Sequence, residues 1–113
     1  MSARVRLGRR LLLEARERVP DGVGGFGTEW VARGTLWADV RLRSGFQDFI
    51  AAVARPRLRY RIIVRGAPVG SGARPRAEER LREGARVFDI LTVTEFDPAG
   101  RYLEILAEEG VVT

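Results

Sequence analysis

Gly22-Val23-Gly24-Gly25-Phe26-Gly27 has the G-x-G-x-x-G spacing that, in a dinucleotide-binding fold, lets the backbone approach a pyrophosphate. That chemistry needs a helix N-terminus directly after the glycines, because its free N–H groups and aligned dipoles hold the anion. Here Thr28, Glu29 and Trp30 lead into residues of alternating character, so the run reads as a loop between strands. The other reactive groups are sparse. There is no Cys and no His, which removes thiolate metal sites, disulfides, the commonest zinc ligand and the commonest general base. Ser stands only at positions 2, 44 and 71, with no His to activate it. The fifteen carboxylates could do acid–base work only as a pair in a cleft. Glu78-Glu79 and Glu108-Glu109 sit in polar runs and read as solvated, while Asp39 lies beside Arg41 on a wet face and reads as one half of a cross-strand ion pair. These residues predict no catalysis, no cofactor and no metal.

All twenty basic residues are Arg, and the net charge is +5. The planar guanidinium pairs bidentately with carboxylate and phosphate and stacks on aromatic rings, so such a surface suits an acidic protein rim or nucleic acid. An open β-surface that reads single strands would interleave aromatics with the Arg, so that bases could stack. Only Trp37 falls on the Arg face of the longest strand predicted here, which makes the stacking platform thin. Trp37 itself reads equally as an exposed interface anchor or as part of a strand covered on both faces.

The elements that carry these residues are mostly strands. From Trp30 to Arg43 the chain alternates: Trp30, Ala32, Gly34, Leu36, Ala38, Val40 and Leu42 on one parity, Arg33, Thr35, Trp37, Asp39, Arg41 and Arg43 on the other. A period of two predicts one long strand with a dry and a wet face, and Gly34 in its middle predicts a bulge or bend. Before it, Leu11, Leu13 and Ala15 alternate with Leu12, Glu14 and Arg16 in a first strand. After it, Phe46, Phe49, Ile50 and Val53 recur at i, i+3, i+4 and i+7, and Ser44 with Gln47 has the capping-box spacing, so a short helix is predicted over 44–54. Arg59–Arg65 forms a third strand with Tyr60, Ile62 and Val64 inward. Residues 66–74 are Gly- and Pro-rich and read as a mobile loop, and 75–83 favours one or two helical turns ending at Gly84. A fourth strand over Val87–Thr94 slips parity between Ile90 and Leu91, by a bulge or by burial of both faces. Asp97-Pro98-Ala99-Gly100 turns it into a fifth strand with Leu103, Ile105 and Ala107 inward.

At 113 residues the chain fits one domain. The reading is a mainly β protein, a small antiparallel β-barrel or sandwich with long loops and one short helix. A flexible basic arm over residues 1–10 precedes a single β-barrel domain over 11–113. No apolar run approaches the ~20 residues of a membrane-spanning helix, so a soluble, cytoplasmic chain with no membrane contact is expected.

Several segments together resemble the head–tail adaptor and head-closure (stopper) proteins of tailed phages, above all those of gene transfer agents. They are Arg10-Leu11-Leu12-Leu13-Glu14, the Asp21-Gly22 loop, Trp30, Gly34 through Val40 with its Trp-Ala-acidic core, Ser44-Gly45, Tyr60 through Arg65, Gly84 through Leu91, Asp97 through Gly100, and Arg101-Tyr102-Leu103. The resemblance spans nearly the whole chain, and departs from the family where Gly45-Phe46-Gln47-Asp48 replaces a common Gly-Arg-Glu. It implies a non-enzymatic structural protein in the neck of a virion or virion-like particle, assembled in the host cytoplasm. Its partners would be its own copies, in a ring of about six or twelve, a portal or adaptor above, a tail terminator below, and packaged double-stranded DNA held without base specificity. The segments 43–58 and 66–76 are then the candidates for narrowing the channel, and Trp37, Arg41, Arg43, Phe46, Phe49, Arg55, Arg57, Arg74 and Arg76 the candidate subunit or lumen contacts. The alternative from the residues alone is a small monomeric OB-like barrel that binds nucleic acid.

Overall fold

The computed structural model describes residues 4–110. Six strands lie there: β1 (Arg9–Pro20), β2 (Phe26–Ile50), β3 (Val53–Arg65), β4 (Arg80–Glu83), β5 (Arg86–Glu95) and β6 (Tyr102–Gly110). All neighbours are antiparallel, and the order β1-β2-β3-β6-β5-β4 returns to β1, so the sheet closes on itself. The closure is irregular. β2 runs for 25 residues and spends its two edges in succession, pairing with β1 from Phe26 to Ala38 and with β3 from Ala38 to Ile50. Only Ala38 faces a partner on both sides, Arg9 and Val64. Two hairpins therefore run beyond the closed part. The Cα radius of gyration is 15.7 Å, against roughly 13 Å for a compact chain of this length.

The core fills the closed part. Leu11, Leu13, Ala38, Tyr60, Ile62, Val64, Leu81, Phe88, Ile90, Leu103, Ile105 and Ala107 form one buried cluster drawn from every strand. Their alternation along β1, β3 and β6 is the predicted one. Tyr60 and Phe88 meet edge to face at 5.1 Å. Each large apolar side chain here contributes about 1.5–3 kcal/mol by leaving water.

Three one-residue shifts shape the sheet. Leu13 faces Gly34 but Glu14 faces Ala32, so Arg33 is extra, and Gly34 takes φ 147°, a conformation that side chains disfavour. Leu42 faces Tyr60 but Ser44 faces Arg59, so Arg43 is extra. In β5, Ile90 faces Ala107 and Thr92 faces Leu106, so the parity slip predicted at Leu91 is a bulge. The Gly34 bulge was also predicted, but its consequence was not. It reverses the faces of everything before it, so Trp30 and Ala32 share the outer face of Thr35 and Trp37 instead of the dry face. Just before the second bulge, Leu42 is 61% exposed, not dry.

No helix occurs among the described residues. The segment 44–54 is the end of β2, a two-residue turn at Ala51-Ala52 and the start of β3. The spacing of Phe46, Ile50 and Val53 suits this hairpin as well as a helix, because the turn places Ile50 opposite Val53 and keeps Phe46 on their face. Both turn residues have positive φ, 51° and 64°, the signature of the tight turn that matches the twist of the flanking strands. Over 75–83 there is a single turn, with the Glu79 N–H donating to the Arg76 carbonyl at 3.1 Å, and then β4. Leu81 is fully buried in the core from β4, which pairs with both β1 and β5, and these contacts override the helix signals in its sequence. Gly84, with φ 59°, turns β4 into β5.

Phe88→Ala is expected to lower the unfolding free energy by about 3–5 kcal/mol. Val23→Ser, at a fully solvated loop tip, is expected to change it by less than about 0.5 kcal/mol. Urea titration of both variants measures the contrast.

Candidate assembly surfaces

The predicted contact residues fall in three places. Arg43, Phe46, Phe49, Arg55 and Arg57 come together on the β2–β3 hairpin. Among the described residues this arm has no third strand beyond the Arg57–Gly110 pair, where β6 ends. Phe46 opposes Arg57, Asp48 opposes Arg55 and Ile50 opposes Val53, so these six share one face, while Phe49 stands on the other with Ala54. Phe49, Ile50 and Val53 are 63%, 55% and 61% exposed, an apolar tip without a cover. Behind the tip the Arg side chains are ion-paired: Arg55 to Asp48 at 3.0 Å, and Arg57 and Arg59 to Glu108 at 3.3 and 2.7 Å. Arg59 also lies over the Phe46 ring, 5.0 Å from its centroid. The arm is thus stiffened by charge at its base and apolar at its end.

Trp37 and Arg41 lie earlier in β2, on either side of Ala38. Trp37 is exposed on the outer face, opposite Arg10. Arg41 turns back along its own strand, donating from Nε and Nη2 to the Asp39 carboxylate at 3.0 and 2.7 Å. Asp39 is buried, not wet, and its partner is on the same strand, not across it. Its carboxylate also accepts the Arg6 N–H at 2.9 Å, and Arg41 donates to the Arg4 carbonyl, so residues 4–6 are held against β2. The first three residues of the basic N-terminal segment lie outside the described residues.

Arg74 and Arg76 sit on the 66–79 connection, which brings them beside Arg33. Arg74 donates to the Ala67 carbonyl at 3.0 Å, and Arg76 pairs loosely with Glu79 at 3.6 Å. Gly66 anchors the start of this connection, its N–H donating to the Arg101 carbonyl at 2.7 Å. A Cβ there would collide with the Gly100 carbonyl oxygen. Gly22–Gly25 forms the β1–β2 hairpin loop, as its context predicts, and Phe26 and Gly27 open β2. Asp21 organises it by accepting from the Val23 and Gly25 N–H groups at 2.9 and 3.0 Å.

Several carboxylates that read as solvated are structural. Glu109 is buried under Arg86, which donates to both of its oxygens at 2.7 and 3.0 Å and to the Tyr60 hydroxyl at 3.0 Å. Those bonds hold the Glu109 carboxyl below its ordinary titration range, and burial pushes the Tyr60 phenol up. Arg9 likewise clamps Glu83 at 2.6 and 3.0 Å and lowers it, and Arg41 lowers Asp39. Glu79 is buried too, accepting the Arg76 N–H at 2.9 Å. Among the described residues no three potential metal ligands gather. Glu109 and Glu83 fasten one strand to another, Asp39 holds residues 4–6 against β2, and Glu79 lies with Glu78 and Asp89 along one open cavity.

The sequence reading missed the outer face of β1 and β2. There Arg16 lies 4.9 Å and Arg80 4.0 Å from the Trp30 ring centroid, and Arg18 lies 3.9 Å from that of Phe26. Arg80 is tied in turn to the buried Glu14 at 2.7 Å. The signal for this surface was Gly34, once the bulge is counted into the parity.

A closed all-β sheet with two projecting, charge-clamped hairpin arms is the architecture of a structural module that offers contact surfaces at its tips and faces. Residues 3–110 match the phage head completion protein family, and the chain belongs to it. A solved chain from the virion of a native gene transfer agent particle is 45% identical, with a TM-score of 0.83, covering 99% of this chain and 100% of that one. The solution structure of protein SF1141 from Shigella flexneri 2a is 25% identical, with a TM-score of 0.62, covering 92% of this chain and 93% of that one. No curated protein matches the sequence.

Because Glu109, Asp39 and Glu83 titrate lower when folded than when unfolded, the unfolded chain takes up more protons as acid is added. Their contribution is full above the unfolded range, near pH 4–5, and is lost as pH falls through the folded values. Unfolding free energy measured in urea is expected to decline from about pH 6 to about pH 3. Glu109→Gln is expected to lower it at neutral pH and to flatten that decline.

Proposed function

We propose that this protein is a head-closure component in the neck of a gene transfer agent or phage particle. It joins the portal or adaptor to the tail and helps retain packaged DNA, as one of several copies in a ring around the channel. The observation that carries this reading is the 45% identity, across 99% of the chain, to a protein built into a gene transfer agent virion. Membership in the head completion family supports the same assignment. The arms add a physical reason. A two-stranded hairpin is at best marginally stable in water alone, so an apolar tip such as Phe49-Ile50-Val53 suits an element that is finished by its neighbours.

In this reading the β2–β3 arm is the contact element toward the channel or an adjoining ring, and the 66–79 connection is the second. Replacing Phe49, Ile50 and Val53 together by Ser is the test. The melting temperature should hold within a few degrees, because all three are exposed. The yield of DNA-protecting particles, counted by nuclease-resistant DNA, should fall about tenfold or more, as expected when central apolar anchors are lost. Unchanged yield with a normally folded variant would remove the arm from particle assembly.

A further inference from the structure

The outer face of the β1–β2 hairpin is unlike the rest of the surface. Beyond Glu14, where β4 stops pairing with β1, this hairpin has no third strand among the described residues. Its outer face carries Arg16 opposite Trp30, Arg18 opposite Thr28 and Pro20 opposite Phe26. Most Arg side chains of this protein are neutralised by carboxylates. Arg16 and Arg18 enter no ion pair among the described residues, yet each is laid over an aromatic ring. The ring fixes the guanidinium, and its hydrogen-bonding edge stays free. Two such groups at i and i+2 present donors about 6.5–7 Å apart along the strand.

The inner face of the same hairpin has the opposite character. Glu17 stands directly opposite Glu29, between the pairs Ala15–Val31 and Val19–Gly27. Like charges in that position repel. Arg33 relieves Glu17 at 2.8 Å, and Glu29 has no cation among the described residues. One two-stranded element thus carries two fixed, unneutralised cations on one side and, beside the Glu17–Arg33 pair, one unpaired carboxylate on the other.

We infer that successive copies of this chain stack hairpin on hairpin, the Arg16/Arg18 face of one against the Glu17/Glu29 face of the next. The inference rests on the proposal that copies assemble in a ring. Two outer faces cannot meet, because their guanidiniums would oppose each other, and two inner faces cannot meet for the same reason with carboxylates. Outer on inner brings the free guanidiniums to the unpaired Glu29 and the singly paired Glu17, and sets Phe26 against the half-buried Val19. Such a contact is head-to-tail, the kind that closes by rotation. A single-stranded nucleic acid is the poorer occupant of the outer face, because Arg16 and Arg80 already lie over the ring of Trp30 that a base would need.

The chain has no Cys, so introduced thiols report alone. Thr28→Cys marks the outer face and Val19→Cys the inner face. Purified particles carrying both variants, co-expressed and treated with a short bis-maleimide, should yield cross-linked dimers. Particles carrying either variant alone should yield none. As a second arm, R16E/R18E and E17R/E29R should each reduce incorporation into particles about tenfold. Co-expression of the two should restore it, because reversed faces again find opposite partners. Dimers from Val19→Cys or Thr28→Cys alone would overturn the inference by showing like faces in contact. No product in particles that hold several copies of the chain would overturn it while leaving the ring intact, and would give the outer face to another occupant, nucleic acid included. Absence of the chain from particles would remove the ring proposal itself.

Discussion

A strand has two edges, and the structure depends on how β2 divides them. Its first half bonds to β1 and its second half to β3, with Ala38 as the one position shared. That division lets six strands of unequal length close around a small core. It also forces the unshared lengths to run on as hairpins. The core cluster then gathers beneath that junction, drawn from all six strands.

Charge does what a larger core would do elsewhere. A chain of this size buries a limited area, and its strand ends lie near water. Arg86 over Glu109, Arg9 against Glu83 and Arg80 against Glu14 each bind one strand to another at the margin of the core. Arg suits these places because its fork meets both carboxylate oxygens and its plane rests on a neighbouring ring, as Arg80 does on Trp30. Buried pairs of this sort contribute geometry more surely than net free energy.

Much of this was legible in the residues. Alternation located the inward positions of β1, β3 and β6, the turn at Asp97–Gly100, and the bulges at Gly34 and Leu91. The short-range pattern failed where two geometries share one spacing. Phe46, Ile50 and Val53 fit a helical stripe, but a hairpin folded at Ala51-Ala52 meets the same pattern, and Ala gives little warning of a turn that usually takes Asn or Gly. Glu109 and Asp39 looked solvated because their partners, Arg86 and the Arg6 amide, are brought near only by the fold. Trp30 was assigned to the wrong face because a bulge was recognised without carrying its parity forward. The family resemblance held because it rested on the order of many short segments.

The sheet's shape separates two kinds of inheritance. Substitutions at Ile62 or Phe88 act on whether one molecule folds, and those at Phe49 or Arg18 fall on exposed ends of the hairpins. A lineage can therefore redraw the tips of its hairpins to follow a changing neighbour while the small closed body stays as it was. The 55 Å span of so light a molecule is what makes that freedom available.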